Sequence, residues 1–416
     1  MRQPPDHLQA LVERFDPKVF DAPTGRARVR LSVPGQGDWD VVIRGRDAEL
    51  REASRRTDPD AQLVADARTW GRIASDVRGG MAAFEQGRLV IRRDLHLGVG
   101  LLAATSGLTD EGRLRFARVK TKTGRICTAS AGRGDPPVIL IHGLGGTKAS
   151  FLPTVAALAE DHRVIALDLP GFGDSDKPLG APYDAPWFAR SVVALMDALK
   201  IERAHVIGNS MGGRVALELG MSYPERVEKL VLLTPSLAWR RERRWAPLLR
   251  FVRPELGLLQ LAPRRVVEGL VRRLVPGARD GWAAAGVDEF LRAYLTPRGR
   301  AAFYAAARHI YLEEPEGEAG FWTRLAGLEP DALFVWGHRD TLVPIGFKRH
   351  VSEAVPHAEH VELDCGHVPQ VERPRETHAA IRRFFADRRP RSSASSGARR
   401  RGTAARSGPS AGARGS

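Results

Sequence analysis

Apolar residues along this chain follow two rhythms. In Arg26-Ala27-Arg28-Val29-Arg30-Leu31-Ser32-Val33 polar and apolar residues alternate, which predicts a strand with one face buried and one wet. Residues 34–38 (Pro-Gly-Gln-Gly-Asp) read as a turn, and residues 39–43 resume as a second strand. Residues 61–65 give a third strand, and Asp66 is placed to cap a helix reaching about Val77, where Gly79 and Gly80 end it. A helical turn at 82–85, a short strand at 88–91 and an apolar helix from Leu95 complete this part. Later the rhythm changes. Residues 137–141, 204–207, 229–234 and 332–336 are short, largely apolar runs that read as buried strands. Roughly ninety residues separate the last two runs, far more than an ordinary connection, and helical patterns at 263–274, 287–295 and 299–311 fill them.

Chemistry collects where these runs end. After residues 204–207 comes Gly208-Asn209-Ser210-Met211-Gly212, followed by a helical stretch. A serine between glycines at a strand-to-helix turn is left exposed by a sharp bend, beside a helix N-terminus that favours negative charge. Residues 137–141 run into His142-Gly143-Leu144-Gly145-Gly146, a loop able to aim a backbone N–H at a developing oxyanion. Leu144 and Met211 are the candidate donors, with Gly143, Gly208 and Gly212 as supporting residues where the backbone turns sharply. Residues 332–336 end in Gly337-His338-Arg339-Asp340, and residues 361–364 lead to Cys365-Gly366-His367. A serine needs a base and the base needs an orienting acid, so Ser210, His367 and Asp340 form a candidate catalytic set. Asp364 and the Asp174/Asp176 pair are rivals for the acid, and Cys365 is a rival nucleophile, more simply read as a small buried residue. His142 reads as a support for the loop and Asp168 as structural.

The order Ser210, Asp340, His367 and the segment Asp168-Leu169-Pro170-Gly171-Phe172-Gly173-Asp174-Ser175-Asp176-Lys177-Pro178 resemble the serine α/β-hydrolases over about residues 112–388. The resemblance implies a mostly parallel eight-stranded sheet and a helical cap at about 236–329. It also implies an acyl-enzyme mechanism, and the serine sets the chain apart from relatives of this fold that use an aspartate nucleophile. Residues 5–106 resemble the sterol carrier protein type 2 family through Thr69, Trp70, Ile73, Gly80, Ala83, Phe84, Gly87, Arg88, Leu89, Ile91, Asp94 and Leu95, although Arg93 stands where a glycine is common. That implies a small α+β domain around an apolar tunnel, so 1–106 is expected to bind lipid, with 107–112 a linker and 113–388 the hydrolase domain.

Composition adds little to this. The net charge of +15 is partly a matter of location. Eight arginines and no acidic residue fall in 388–416, so 389–416 is expected to be a disordered basic tail. Ten more arginines lie in 240–275 among Trp245, Leu248, Leu249 and Phe251, which suggests either arginine stems covering a cap helix or peripheral membrane contact. Two cysteines are too few for a disulfide framework, and no histidine pair or cysteine cluster has metal-ligand spacing. No cofactor, metal or nucleic-acid partner is expected, and no apolar signal core is seen, so a soluble cytoplasmic protein is expected. A hydrolase of hydrophobic esters is the leading expectation. A carbon–carbon bond hydrolase of ring-cleavage products, an acyltransferase and a lipid-transfer protein are the alternatives.

Overall fold

The computed structural model describes residues 3–22, 24–54, 56–75, 83, 87–106, 114–239, 251, 253–259, 263, 265–269 and 281–387. Most of the arginine-rich 240–275 segment, the 107–112 linker, the turn at 82–85 apart from Ala83 and the 389–416 tail lie outside them.

Two sheets organise the chain. The first has strands β1 (Arg26–Val33), β2 (Gly37–Arg44), β3 (Asp47–Glu52), β4 (Ala61–Ala65) and β5 (Leu89–Arg92), in the order β3-β2-β1-β4-β5. β1 and β4 run parallel and the other neighbours antiparallel. The alternation in β1 sends Ala27, Val29 and Leu31 into the core. Its opposite face is ion-paired: Arg30 Nε lies 2.8 Å and Arg28 Nη1 3.1 Å from the Asp40 carboxylate on β2. Helices Asp6–Glu13, Ala67–Ser75 and Leu95–Ala104 cover the apolar face with Leu8, Leu11, Trp70, Ile73 and Leu101. Asp66 and Asp94 hold helix starts, accepting the N–H groups of Thr69 (2.7 Å) and Leu97 (2.9 Å). The sequence patterns did not reveal β3 or the first helix. β3 is a short edge strand with no fully buried residue, and only Ala48 and Leu50 mark its inner face, too few to stand out.

The second sheet contains β6 (Arg115–Thr121), β7 (Gly124–Ala131), β8 (Val138–Ile141), β9 (Val164–Leu167), β10 (Ala204–Asn209), β11 (Val227–Leu233), β12 (Asp331–Gly337) and β13 (Glu359–Leu363). Their order is β13-β12-β11-β10-β8-β9-β7-β6, and every neighbour from β9 to β13 is parallel. β8, β9 and β10 are buried throughout, which is why β8 and β9 are continuous apolar runs and β10 is largely apolar. Helices Ala185–Ala198 and Met211–Ser222 bury one face, and Leu152–Leu158 and Pro374–Ala386 the other. The strand order reverses between β8 and β10, and the loops after these two strands meet in the crevice where open α/β sheets hold ligands.

Between β11 and β12 the described insertion includes a 3-10 turn Pro254–Leu259 and helices Gly281–Tyr294, Pro297–Leu312 and Phe321–Leu325. The first of these helices begins six residues before the stretch its apolar rhythm marks, in an alanine-rich turn that has no polar face to set a phase. Among the described residues no helix is long and apolar enough to cross a membrane.

Candidate active site

Ser210 sits between β10 and the helix Met211–Ser222 with φ 54° and ψ −119°, a left-handed conformation that costs energy in a residue with a Cβ. Close backbone approaches hold it there. A Cβ on Gly208 would lie 2.2 Å from the Gly212 carbonyl oxygen, one on Gly212 2.0 Å from that of Ile141, and one on Gly213 2.7 Å from Pro235 Cβ. The glycines of the motif therefore answer crowding between the elbow, β8 and the turn after β11. The Ser210 N–H donates to the Leu233 carbonyl at 3.0 Å, and the Ser236 N–H donates to the Ser210 carbonyl at 2.9 Å.

His367 follows β13, and its Nδ1 lies 2.7 Å from Asp340 Oδ2. Asp340 Oδ1 accepts the N–H groups of Leu342 (2.8 Å) and Val343 (3.0 Å), so both carboxylate oxygens are engaged. The Asp340 side chain is wholly buried, whereas 19% of the His367 side chain is exposed. A carboxylate facing Nδ1 fixes the tautomer with the proton on that atom and leaves Nε2 as the basic nitrogen.

Three residues that the motifs did not single out hold the histidine. The His367 carbonyl accepts from Asn209 Nδ2 at 3.1 Å and from Thr234 Oγ1 at 2.7 Å. Glu372 accepts the N–H groups on either side, from Gly366 at 2.7 Å and Val368 at 3.1 Å. Asn209 stood inside the quoted motif, and Glu372 follows the histidine by five residues. Thr234 carries no local signal, because its contact spans 133 positions.

His142 is buried beneath the glycine loop. The Leu169 N–H donates to its Nε2 at 3.0 Å, so its Nδ1 carries the proton and donates to the Gly143 carbonyl at 2.8 Å. Burial pushes its pKa down and keeps the ring neutral. A Cβ on Gly143 would lie 3.1 Å from Ser210 Cβ, which sets the loop against the elbow. Leu144 packs on the main core, and Met211 opens its helix, where the first N–H groups have no intrahelical acceptor.

The rival acids are engaged elsewhere. Asp364 is exposed and pairs with Arg339 and Arg373, Asp176 pairs with Arg125, and Asp174 pairs with Lys148 and Arg292. Cys365 is buried, and burial pushes its thiol up to about 12. At pH 8 about one thiol in ten thousand would be ionised. Iodoacetamide at that pH is therefore expected to leave turnover intact, and Cys365→Ser to keep at least half of it. Rapid stoichiometric inactivation that this substitution abolishes would reverse the assignment. Among the described residues no group of three or more His, Cys, Asp or Glu side chains could hold a metal ion.

A cavity of about 200 Å³ opens beside Met211, lined by Phe188, Arg214, His309 and Ile310 among others. Arg214 is paired there with Glu313 and with Glu218 at 3.0 Å, and Arg324 also meets Glu218. The aromatic rings of Phe290, Tyr294, Phe303 and Tyr304 cluster in the cap, and a Cβ on Gly145 would lie 2.5 Å from Phe290 Cδ2, so the cap rests on the glycine loop.

The sheet, its crevice and the Asp340–His367 pair define an enzyme class. The model of the alpha/beta hydrolase fold family matches residues 136–374, more than half of the chain, and the protein belongs to that family. The amino-terminal sheet lies outside the match. The 2-hydroxy-6-oxononadienedioate/2-hydroxy-6-oxononatrienedioate hydrolase of Paraburkholderia xenovorans is 31% identical over 299 residues, covering 68% of this chain and 98% of that protein. Among solved structures, a membrane phospholipase A described as a bacterial virulence factor aligns with TM-score 0.54 and 28% identity, over 65% of this chain and 86% of its own. A meta-cleavage product hydrolase from Pseudomonas fluorescens aligns with TM-score 0.50 and 25% identity, over 65% of this chain and 97% of its own.

Proposed function

We propose that the protein hydrolyses uncharged, apolar ester-type substrates through an acyl-Ser210 intermediate. The observation that carries this is the 2.7 Å contact between His367 Nδ1 and Asp340 Oδ2, with Ser210 held at a strained elbow. In this reading His367 Nε2 accepts the Ser210 proton as Oγ bonds to the substrate carbonyl carbon. The Leu144 and Met211 N–H groups receive the oxyanion. His367 then returns the proton to the leaving alkoxide as the C–O bond breaks. Water repeats the sequence on the acyl-enzyme, with His367 taking its proton and releasing it to Ser210.

Charge in the cavity beside Met211 favours a neutral substrate. The P. xenovorans relative is named for a dienedioate, which carries two carboxylates. Arg214, the cation lining the described cavity, is already matched by Glu218 and Glu313. Recruiting it to a substrate carboxylate would take it from Glu313 and Glu218, the acids it already neutralises. The identity to the dienedioate hydrolases supports carbon–carbon bond cleavage as the second reading.

A p-nitrophenyl ester series separates the two. kcat/KM is expected to rise by up to about fourfold per added methylene until the cavity is full, the value of burying one CH₂. A flat ester series together with turnover of a ring-cleavage dienoate would favour carbon–carbon hydrolysis.

A further inference from the structure

The amino-terminal sheet lies outside the family match, yet three consecutive residues at its β5 end are bonded to the cap. Arg92 places Nε 2.7 Å and Nη2 3.2 Å from the two oxygens of Asp288, a two-point contact on the helix Gly281–Tyr294. The same Asp288 accepts the Arg93 backbone N–H at 2.9 Å. Arg93 holds φ 71°, a left-handed conformation normally left to glycine, in making this contact. Asp94, which caps the helix Leu95–Ala104, lies 3.6 Å from Arg292 Nε one turn along the cap helix.

The charges do not stop at the cap. Arg292 also pairs with Glu289 at 2.8 Å and with Asp174 at 3.1 Å. Asp174 meets Lys148 Nζ at 3.1 Å, and Lys148 is bound to Asp168 at 2.7 Å. Lys148 stands two residues after Gly146, the last glycine of the loop that carries Leu144. Between Asp288 and Arg292 the helix presents Phe290 to Gly145. Apolar packing follows the same route: Ala285 of the cap, with Ala149 and Leu152 after the glycine loop, belongs to the core built around Leu97, Leu101 and Trp70 of the amino-terminal domain. A continuous chain of contacts thus runs from Arg92, Arg93 and Asp94 through the cap helix to the glycine loop.

We infer that Arg92, Arg93 and Asp94 are positioning residues for the oxyanion loop, acting through the cap helix, so that the amino-terminal domain completes the active site. The inference rests on the hydrolase reading above. A domain serving only as structural glue would use its contacts indifferently. One contact makes that comparison possible: Arg118 on β6 forms its ion pair with Asp21 of the amino-terminal domain at 2.6 Å, outside the Arg92–Asp288 contact.

The test uses the full chain with p-nitrophenyl acetate, too small to depend on the acyl pocket. Arg92→Ala and Asp288→Ala are each expected to lower kcat at least tenfold with KM within about threefold of the parent. The double variant should lose little more than either single one, because both break the same pair. Arg92→Lys should recover part of kcat, and Arg118→Ala should leave kcat unchanged. Hydrogen exchange should quicken at residues 143–149 and 281–294 in Asp288→Ala and stay unchanged there in Arg118→Ala. Unchanged kcat and exchange in the cap-pair variants would overturn the inference, and so would an equal loss in Arg118→Ala. Absence of Ser210-dependent turnover in the parent would instead count against the hydrolase reading, and the exchange comparison would still decide whether the domain holds the loop.

Discussion

Ser210→Ala is expected to lower kcat by about six orders of magnitude, His367→Ala by a similar factor, and the double variant by no more, because nucleophile and base act as one unit. Asp340→Asn should cost about four orders of magnitude. The reason is a proton. Asp340 accepts at Nδ1 and so keeps Nε2 free to act as a base. Its other oxygen is fixed by the Leu342 and Val343 N–H groups, so the oxygen facing the histidine would become the amide nitrogen. That nitrogen donates, the imidazole proton would shift to Nε2, and the base would be lost. Asp364→Asn is the companion variant and should stay within threefold of the parent, because Asp364 is exposed and bound to Arg339 and Arg373. Retention of a tenth of kcat by Asp340→Asn, with collapse of Asp364→Asn, would give the acid role to Asp364. Single-turnover rates on one chromogenic ester suffice for all five variants.

What the chain disclosed before its structure was what lies close along it. Gly208, Ser210 and Gly212 share one turn, and their spacing states the crowding that the fold imposes. The same holds for β8 and β10, whose largely apolar runs follow from burial on both faces. Contacts between distant segments left no such trace. Asn209 and Thr234 reach the His367 carbonyl across 158 and 133 positions, and Arg92 reaches Asp288 across 196. Polar residues at those positions read as ordinary surface until the fold folds them inward. Arg93 is an intermediate case. Its place before Asp94, where a glycine is common, counted as a departure from the family pattern, yet the observed φ of 71° is the left-handed conformation a glycine takes readily. The partner that holds Arg93 there, Asp288, could be found only in the folded chain.

Lys148→Met should be the most destabilising single substitution near the site, although this lysine bears no motif. Its side chain is 2% exposed and its ammonium lies against Asp168, itself wholly buried, and Asp174. Burial alone would push the lysine down and the Asp168 carboxyl up, but each overrides the burial of the other, so the lysine is raised and the aspartate lowered. Removing one partner of a buried pair leaves an uncompensated charge and costs about 3–5 kcal/mol. For a chain of 416 residues that is a fall of roughly 3–6 °C in Tm. The sign of the pH dependence provides a second check. In the parent, the depressed Asp168 contributes stability that is present above its unfolded value and is lost as pH falls through its folded value. In Lys148→Met the buried carboxyl loses its cation, so its pKa rises above the unfolded value. Its contribution is then present at low pH and lost as pH rises. The gap between parent and variant should therefore be widest at pH 7 and narrow as pH falls to about 5. A Lys148→Met/Asp168→Asn double variant should recover part of the loss at pH 7, because the stranded charge is gone. Thermal melts at the two pH values test this, and a Tm within 2 °C of the parent at pH 7, or a gap that widens in acid, would mean that water or Arg292 already neutralises Asp168 without the lysine.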